Sequence, residues 1–255
     1  MRSIWNGAIN FGLVNIPIKL YAAIQSGSLD LDMLDSRDHS RIRYQRVNEK
    51  TQQEVPFEKI VKGYLQDDQY IILEEQDFEA VNPEKSKTIA IENFVKIEEI
   101  NPMLFENSYY AEVGKQGEKA YSLLLAALLK TKLAGLGSFV LRERESLCLI
   151  YPQNKVLVIS KIRYAQEIRN SSEINIPSDV HISEKELNMA LELIKQYTTN
   201  FDISKYKDTY TDGLLEIIKA KAKGKFPIIK KLTPKKAKSD DLYEQLLESL
   251  NKKGA

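Results

Sequence analysis

Only one cysteine, Cys148, and two histidines, His39 and His181, occur in 255 residues. One thiol cannot form an intrachain disulfide, and so sparse a Cys/His set offers no ligand cluster for zinc. Cys148 sits in the apolar run Ser146-Leu147-Cys148-Leu149-Ile150-Tyr151, where a small core residue is expected rather than a reactive thiol. The histidines are expected on the surface or in loops. No apolar run approaches the roughly 20 residues that span a bilayer. The opening residues lack the long apolar stretch and small-residue cleavage site of a signal peptide. A cytoplasmic protein without a membrane partner is expected. There is no Gly-x-x-x-x-Gly-Lys-Ser/Thr phosphate loop and no Gly-x-Ser-x-Gly elbow. The acidic pairs Asp67-Asp68, Glu74-Glu75 and Glu98-Glu99 are adjacent in sequence. In a strand such neighbours point to opposite faces, so a solvated surface suits them better than a shared metal or acid/base site. No catalytic residue, metal or cofactor is expected, and the chain is read as a non-enzyme.

What is present is charge, and it is segregated. The net charge is only +1. Residues 37–63 nevertheless carry seven Lys/Arg against four Asp/Glu, and residues 64–118 carry four against thirteen. Residues 132–169 return to seven against three, and residues 219–238 hold nine lysines and no acid. Near-neutrality overall therefore does not argue against a polyanionic partner. Solvated faces whose charges happen to cluster fit the same pattern.

The hydrophobic pattern is strand-rich. Trp5, Ile9, Phe11 and Leu13 fall on odd positions, and Val14, Ile16, Ile18 and Leu20 on even ones. Each half alternates like a half-buried strand, and the parity switch beside Gly12 predicts a bulge or turn. Pro17 cannot donate to a ladder, so its N side should be an edge or irregular. Arg41 to Val47 alternates again. Glu58 to Tyr64 suggests a short helix or turn, Tyr70 to Leu73 a strand, and Glu74 to Val81 an acidic helix stopped by Asn82-Pro83. Strands are expected over Thr88–Ile97, Ser108–Val113, Leu136–Arg142, Ser146–Tyr151 and Lys155–Tyr164, with Pro152-Gln153-Asn154 as a hairpin turn. A long helix over Gly117–Lys132 should bury Ala120, Leu123, Leu124, Ala127 and Leu128. Many short strands with one helix suit a barrel or sandwich. Beyond Pro177 the texture becomes helical. Ser183-Glu184-Lys185-Glu186 is a capping box ahead of the stripe Leu187, Ala190, Leu191 and Ile194. A second helix should run from Asp208 to about Lys223, interrupted by Gly213. Residues 225–238 read as a lysine-rich linker, and Ser239-Asp240-Asp241 as the cap of a last helix. That helix places Leu242, Leu246 and Leu250 on one face with Leu247 beside it.

The basic stretch from residue 37 suits a phosphate backbone. Duplex DNA carries one negative charge per about 1.7 Å of axis, so a protein following it needs cations spread over distance. Arg37, Arg41, Arg43, Arg46 and Lys50 provide five within fourteen residues, and Lys59 and Lys62 follow in the same stretch. In a strand Arg41 and Arg43 would share one face, with Ile42 and Tyr44 on the other. No helix has the look of a base reader, so sequence specificity is not indicated. Lys219, Lys221, Lys223 and Lys225 spread around a helix, either as a diffuse electrostatic aid or as a solvated helix end.

Several ordered motifs resemble a known family. Residues 1–17, from Met1-Arg2-Ser3-Ile4-Trp5-Asn6-Gly7 through Asn15-Ile16-Pro17, are similar to the opening of bacterial Ku proteins of non-homologous end joining. Arg41-Ile42-Arg43-Tyr44-Gln45-Arg46-Val47, Glu54-Val55-Pro56, Val61-Lys62-Gly63-Tyr64 and Pro83-Glu84-Lys85-Ser86 continue the match in order. Glu118-Lys119-Ala120-Tyr121, Phe139-Val140-Leu141-Arg142, Arg163-Tyr164 and Phe201-Asp202 extend it to about residue 225. The resemblance implies an α+β, β-rich fold: a Ku-type β-barrel core with an extended ring-forming arm and C-terminal helices. Residues 1–180 would form the core, with the arm at about 26–80, and 181–225 a helical dimerisation region. Residues 226–238 would be a linker and 239–255 a ligase-docking helix.

The implied protein is a nucleoid-associated homodimer. It would thread onto double-stranded DNA ends through Arg37, Arg41, Arg43, Arg46, Lys50, Lys59 and Lys62. It would engage an ATP-dependent DNA ligase through Leu242, Leu246, Leu247 and Leu250. A helix packed on its own domain is the alternative for that last segment. Many family members carry a Cys-x-x-Cys pair in the arm. Asn48 and Thr51 stand at those places here, so no metal is expected and the loop must hold its shape otherwise. Two other functions fit the residues without the resemblance. One is an architectural DNA-coating protein without end preference, and the other a lysine-dependent lyase on damaged ends.

Overall fold

A computed structural model of the chain describes residues 1–81, 87–141, 144–178, 180–225 and 242–252. It divides into two compact units, one of residues 1–26 and 30–170, the other of residues 27–29 and 171–255.

The first unit is built on a closed seven-stranded barrel. Its strands are β1 (Trp5–Phe11), β2 (Val14–Ala22), β5 (Thr88–Lys96), β6 (Phe105–Val113), β7 (Leu133–Leu141), β8 (Arg144–Gln153) and β9 (Val156–Ile162). Around the barrel the order is β1-β2-β6-β9-β8-β7-β5. The parity switch at Gly12 is a hairpin turn. Phe11 faces Val14, Gly12 takes a left-handed φ of 58°, and Leu13 is fully exposed. Ile9, Ile16, Ile18 and Leu20 are buried, as the two alternations require. Pairing of β2 with β6 starts at Ile18–Val113, one residue past Pro17, whose carbonyl accepts from the Gly114 amide at 2.7 Å. The ring nitrogen of Pro17 thus stays outside the ladder.

All ladders are antiparallel except one. β1 and β5 run parallel, and only Ala8–Asn10 pairs with Thr88–Ala90. The hairpin to β2 returns the chain to the end of the barrel where β5 starts, and the excursion of residues 23–87 is inserted between them. Trp5 supports this short seam. Its indole Nε1 donates to the Val140 carbonyl at 3.1 Å, and its ring meets Phe139 edge-on at 6.0 Å. Gly7 makes room, because a Cβ there would lie 2.2 Å from the Lys87 carbonyl oxygen and 2.3 Å from the Trp5 ring.

Helix α2 (Glu118–Thr131) packs against β2, β7 and β8. Its buried residues are Tyr121, Leu124 and Leu128, whereas Leu123 is 64% exposed. The expected stripe of Ala120, Leu123, Leu124, Ala127 and Leu128 is therefore rotated. An Ala/Leu-rich helix is apolar around most of its circumference, so periodicity alone could not place its buried face. Tyr121 decides it. The phenol donates to the Ala111 carbonyl and accepts from the Leu157 amide, each at 2.8 Å, so one hydroxyl joins the helix to β6 and β9. Burial holds that phenol above its usual pKa. Ser108, Tyr151 and Ser160 form a second polar link between β6, β8 and β9, with oxygen distances of 2.7 and 2.9 Å.

Other expectations need correction. Pro152 and Gln153 lie in β8, and the hairpin turns at Asn154-Lys155, where Asn154 takes a φ of 56°. β7 begins three residues earlier than periodicity suggested, at Leu133. Residues 41–47 form no strand and make only the isolated bridges Leu34–Arg41 and Val47–Glu54. The segment after Pro56 is a single 3₁₀ turn at Phe57–Lys59, and strand follows from Lys62. The stop at Asn82-Pro83, the motif at 83–86, the linker at 226–238 and the cap at Ser239–Asp241 lie outside the described residues.

The second unit holds α3 (Glu184–Tyr197), α4 (Thr209–Ala222) and α5 (Leu242–Lys252). The capping box forms, with the Ser183 amide donating to Glu186 Oε2 at 2.9 Å and the Glu186 amide to Ser183 Oγ at 3.3 Å. α4 starts at the Asp208 cap and runs unbroken through Gly213, ending before Gly224 at a φ of 70°. One internal glycine costs about 1 kcal/mol, too little to break a helix capped at its start.

Gly137 gives a direct test of the barrel packing. A Cβ there would lie 2.0 Å from the Ala90 carbonyl oxygen of β5. Replacing glycine by alanine stiffens the unfolded chain by about 0.4–1 kcal/mol, but overpacking costs about 1–3 kcal/mol and dominates. Gly137→Ala is expected to lower the urea midpoint of unfolding; an unchanged or higher midpoint contradicts this packing.

Candidate nucleic-acid interface

The excursion between β2 and β5 carries the basic stretch. Its regular elements are β3 (Lys62–Gln66), β4 (Gln69–Leu73) and α1 (Glu75–Ala80). The rest is a succession of short loops closed by local bonds. Val47 and Glu54 bridge, and inside that loop Asn48 Oδ1 accepts from the amides of Lys50 at 2.9 Å and Thr51 at 3.1 Å. Asn48 thus holds the backbone of Thr51. An asparagine turn supplies the shape.

The paired acids of this region have structural duties. Asp67 and Asp68 form the β3–β4 turn with φ of 47° and 61°, a left-handed pair that short polar residues tolerate. Glu74 and Asp77 cap α1 reciprocally. Among the described residues no group of three or more Asp, Glu, His or Cys is placed to hold a metal ion. Burial, with Glu92 adding to it, pushes the Cys148 thiol up to about 12, which denies it a thiolate at neutral pH. No helix among the described residues is long and apolar enough to cross a membrane.

The arm's cations are all exposed, but they are not equivalent. Arg37 is latched to its own loop. Its amide and Nε reach Asp35 Oδ1 at 2.9 and 3.0 Å, and a terminal nitrogen reaches Oδ2 at 2.6 Å. Arg41 pairs with Asp32. Arg46 lies over the Phe57 ring at 5.3 Å, and Lys62 over the Phe78 ring at 4.4 Å. Arg43, Lys50 and Lys59 have no ion pair among the described residues. The seven cations picked from the sequence thus stay on one segment but fall into three groups: two with a carboxylate partner, two on aromatic platforms, three open. Sequence reading missed Asp32, Asp35, Phe57 and Phe78. The spacing Asp35-x-Arg37 carried a signal for the first latch, since an aspartate readily accepts from the amide two residues on.

The arm also lacks a core. Tyr44 is 83% exposed, Phe57 70%, Tyr64 65% and Tyr70 71%. On the β3–β4 ribbon the register puts Tyr64 opposite Ile71, and Leu65 opposite Tyr70. Apolar side chains therefore project from both faces. A lone two-stranded sheet with apolar side chains exposed on both faces is marginally stable in water.

The final helix carries the other expected site. Leu242 and Leu247 are exposed, whereas Leu246 and Leu250 are half-buried, and α5 lies against α3. The four leucines are therefore not one open stripe.

A closed β-barrel that opens its connectivity into a coreless arm, with seven Lys/Arg against four Asp/Glu over residues 37–63, defines the class of protein. The description "Ku70/Ku80 beta-barrel domain" matches residues 10–189. The chain is 39% identical to the non-homologous end joining protein Ku of Opitutus terrae, covering 100% of this chain and 93% of that one. It is 35% identical to the protein of the same name from Coxiella burnetii, over 99% and 95% of the two chains. The Bacillus subtilis protein of that name is 35% identical over 93% and 76%. The chain belongs to the Ku family. Among solved structures, the SPOC domain of human PHD-finger protein 3 aligns with a TM-score of 0.31 and 11% identity, over 63% of this chain and 95% of that one, too remote for any argument.

The Asp35 carboxyl is held below its usual pKa, first by the side-chain hydrogen bond from Arg37 and then by the Arg37 amide. A depressed folded pKa means the latch is complete above the ordinary aspartate range and is lost as pH falls through the lowered value. The Asp35 side-chain carboxyl carbon should titrate below the ordinary aspartate range in NMR, and Arg37→Ala should return it to that range; titration of the unmodified protein at the ordinary position contradicts the latch.

Proposed function

We propose that this protein acts in non-homologous end joining as a ring-shaped homodimer. It binds double-stranded DNA ends without regard to sequence and recruits an ATP-dependent DNA ligase through its last helix. The carrying observation is the exposed arm of a Ku-family barrel, which presents seven exposed cations over residues 37–62 and apolar side chains that stay exposed. Each feature has a physical use. Cations spread over a segment suit a phosphate backbone, and the lack of a base-reading helix suits sequence independence. Arg46 and Lys62, stacked on rings, lose less side-chain freedom on meeting a phosphate than free lysines do. The uncovered ribbon suits a second copy, because a twofold interface lets one apolar patch cover its twin. The protein contributes geometry and electrostatics, and the ligase contributes the bond-forming chemistry.

Topology is the part most open to test. A ring that threads over a free end cannot load onto a closed circle. Linear duplex should compete for binding and nicked or closed circles should not. Equal competition by circles would support an architectural coating protein instead. Binding should also weaken steeply with salt. Neutralising Arg43, Arg46 and Lys50 should reduce the log–log slope by about 0.9 for each side chain that meets a phosphate. Dimerisation has a separate readout. Tyr70→Asp with Ile72→Asp places charges on one face of the ribbon and should convert a dimer into a monomer in sedimentation equilibrium, with the barrel still folded. A dimer that survives both substitutions removes this ribbon face from the interface.

A further inference from the structure

The last helix is not free. α5 lies against α3, with Lys185 Nζ 4.6 Å from the centroid of the Tyr243 ring. The burial pattern shows which sides meet. On α3, Lys185, Met189 and Leu193 follow one another at four-residue spacing, and Met189 and Leu193 are half-buried. The neighbouring Leu187, Leu191 and Ile194 are exposed. On α5 the matching stripe is Tyr243, Leu246 and Leu250, all half-buried, while Leu242 and Leu247 face solvent. A helix of 11 residues is too short to be stable alone in water, where about 12–15 residues are marginal. α5 therefore needs a surface in order to be a helix, and α3 supplies one.

We infer that the α3 face of Lys185, Met189 and Leu193 is a resting seat for α5, and that the seat and the ligase compete for the same leucines. The inference rests on the proposed role of α5 in recruiting the ligase. Leu246 and Leu250 cannot lie on α3 and also fill a ligase groove. Leu242 and Leu247 remain open for a first contact, and full docking requires α5 to leave its seat. The apparent ligase affinity is then the intrinsic affinity reduced by the fraction of molecules with α5 released. The contact is small and exposed at its edge, so that fraction is adjustable rather than negligible.

The test uses the full chain, with two readouts. Hydrogen exchange of the α5 amides reports seating. Biolayer interferometry against the purified ATP-dependent end-joining ligase of the same organism reports docking. Lys185→Ala removes an exposed cation–π contact and should raise both α5 exchange and ligase affinity by about two- to five-fold. Leu193→Asp puts a charge in the seat and should raise both by about tenfold or more. Lys185→Ala keeps the test open if Leu193→Asp fails to fold. Faster exchange with unchanged ligase affinity, when Leu246→Asp with Leu250→Asp abolishes docking, overturns the competition and leaves ligase recruitment standing. Unchanged exchange in both α3 variants overturns the seat itself. If removing residues 239–255 leaves ligase binding intact, recruitment by α5 fails and the competition falls with it.

Discussion

The short parallel seam between β1 and β5 governs the architecture. Only three residue pairs close the barrel there. Everything around the seam compensates for its brevity. Trp5 reaches across to β7 for a carbonyl, Phe139 meets its edge, and Gly7 vacates the space that the Lys87 carbonyl and the indole require. The Trp5-Asn6-Gly7 motif that opens the chain is part of that closure. Because β2 runs antiparallel to β1, it ends at the end of the barrel where β5 begins, and the arm is inserted there, between the two strands that flank β1.

Residues 23–87 then face a problem of their own. Those described, 23–81 and 87, form a two-stranded ribbon, a short helix and bonded loops, none of which can bury its apolar side chains alone. Local chemistry fixes their shape instead. Asn48 ties one loop, Asp35 and Arg37 tie another, and the Asp67-Asp68 pair turns the ribbon. A segment that is locally ordered yet globally uncovered suits an element whose burial comes from a second molecule. The same economy assigns the acids. The acidic pairs read from the sequence as solvated surface supply the turn at Asp67-Asp68, a cap at Glu74 and a lysine partner at Glu99, while Asp32 and Asp35 hold arginines. Arginines bound to neighbouring carboxylates count for less in DNA binding than their number suggests, because an exposed ion pair must be exchanged before a phosphate is gained.

The helical unit repeats the theme of incomplete burial at smaller scale. α3 presents two apolar sides, and only the one bearing Met189 and Leu193 is covered, by α5. The alternatives for the last helix, docking stripe or self-packed helix, are not exclusive in the structure. One pair of its leucines is packed and the other is open.

Much of this was legible in the chain itself. Alternating parity located β1, the turn at Gly12 and β2, because a half-buried strand writes its two faces at a period of two. The Ser183–Glu186 box and the Asp208 cap announced α3 and α4 through side-chain oxygens that bond only their local backbone. These are short-range rules, and short-range rules are carried by sequence. What the chain could not state were facts about distant partners. Nothing near Tyr121 shows that its hydroxyl meets Ala111 and Leu157, so the Ala/Leu pattern caught Leu124 and Leu128 but not the rotation that buries Tyr121 and exposes Leu123 and Ala127. The alternation from Arg41 to Val47 suggested a strand, but a strand needs a continuous neighbour, and only its two ends, Arg41 and Val47, form isolated bridges. The cations of the arm were counted correctly from the sequence. Which were latched, stacked or open was decided by folding, because an arginine's partner is whatever the backbone brings within reach.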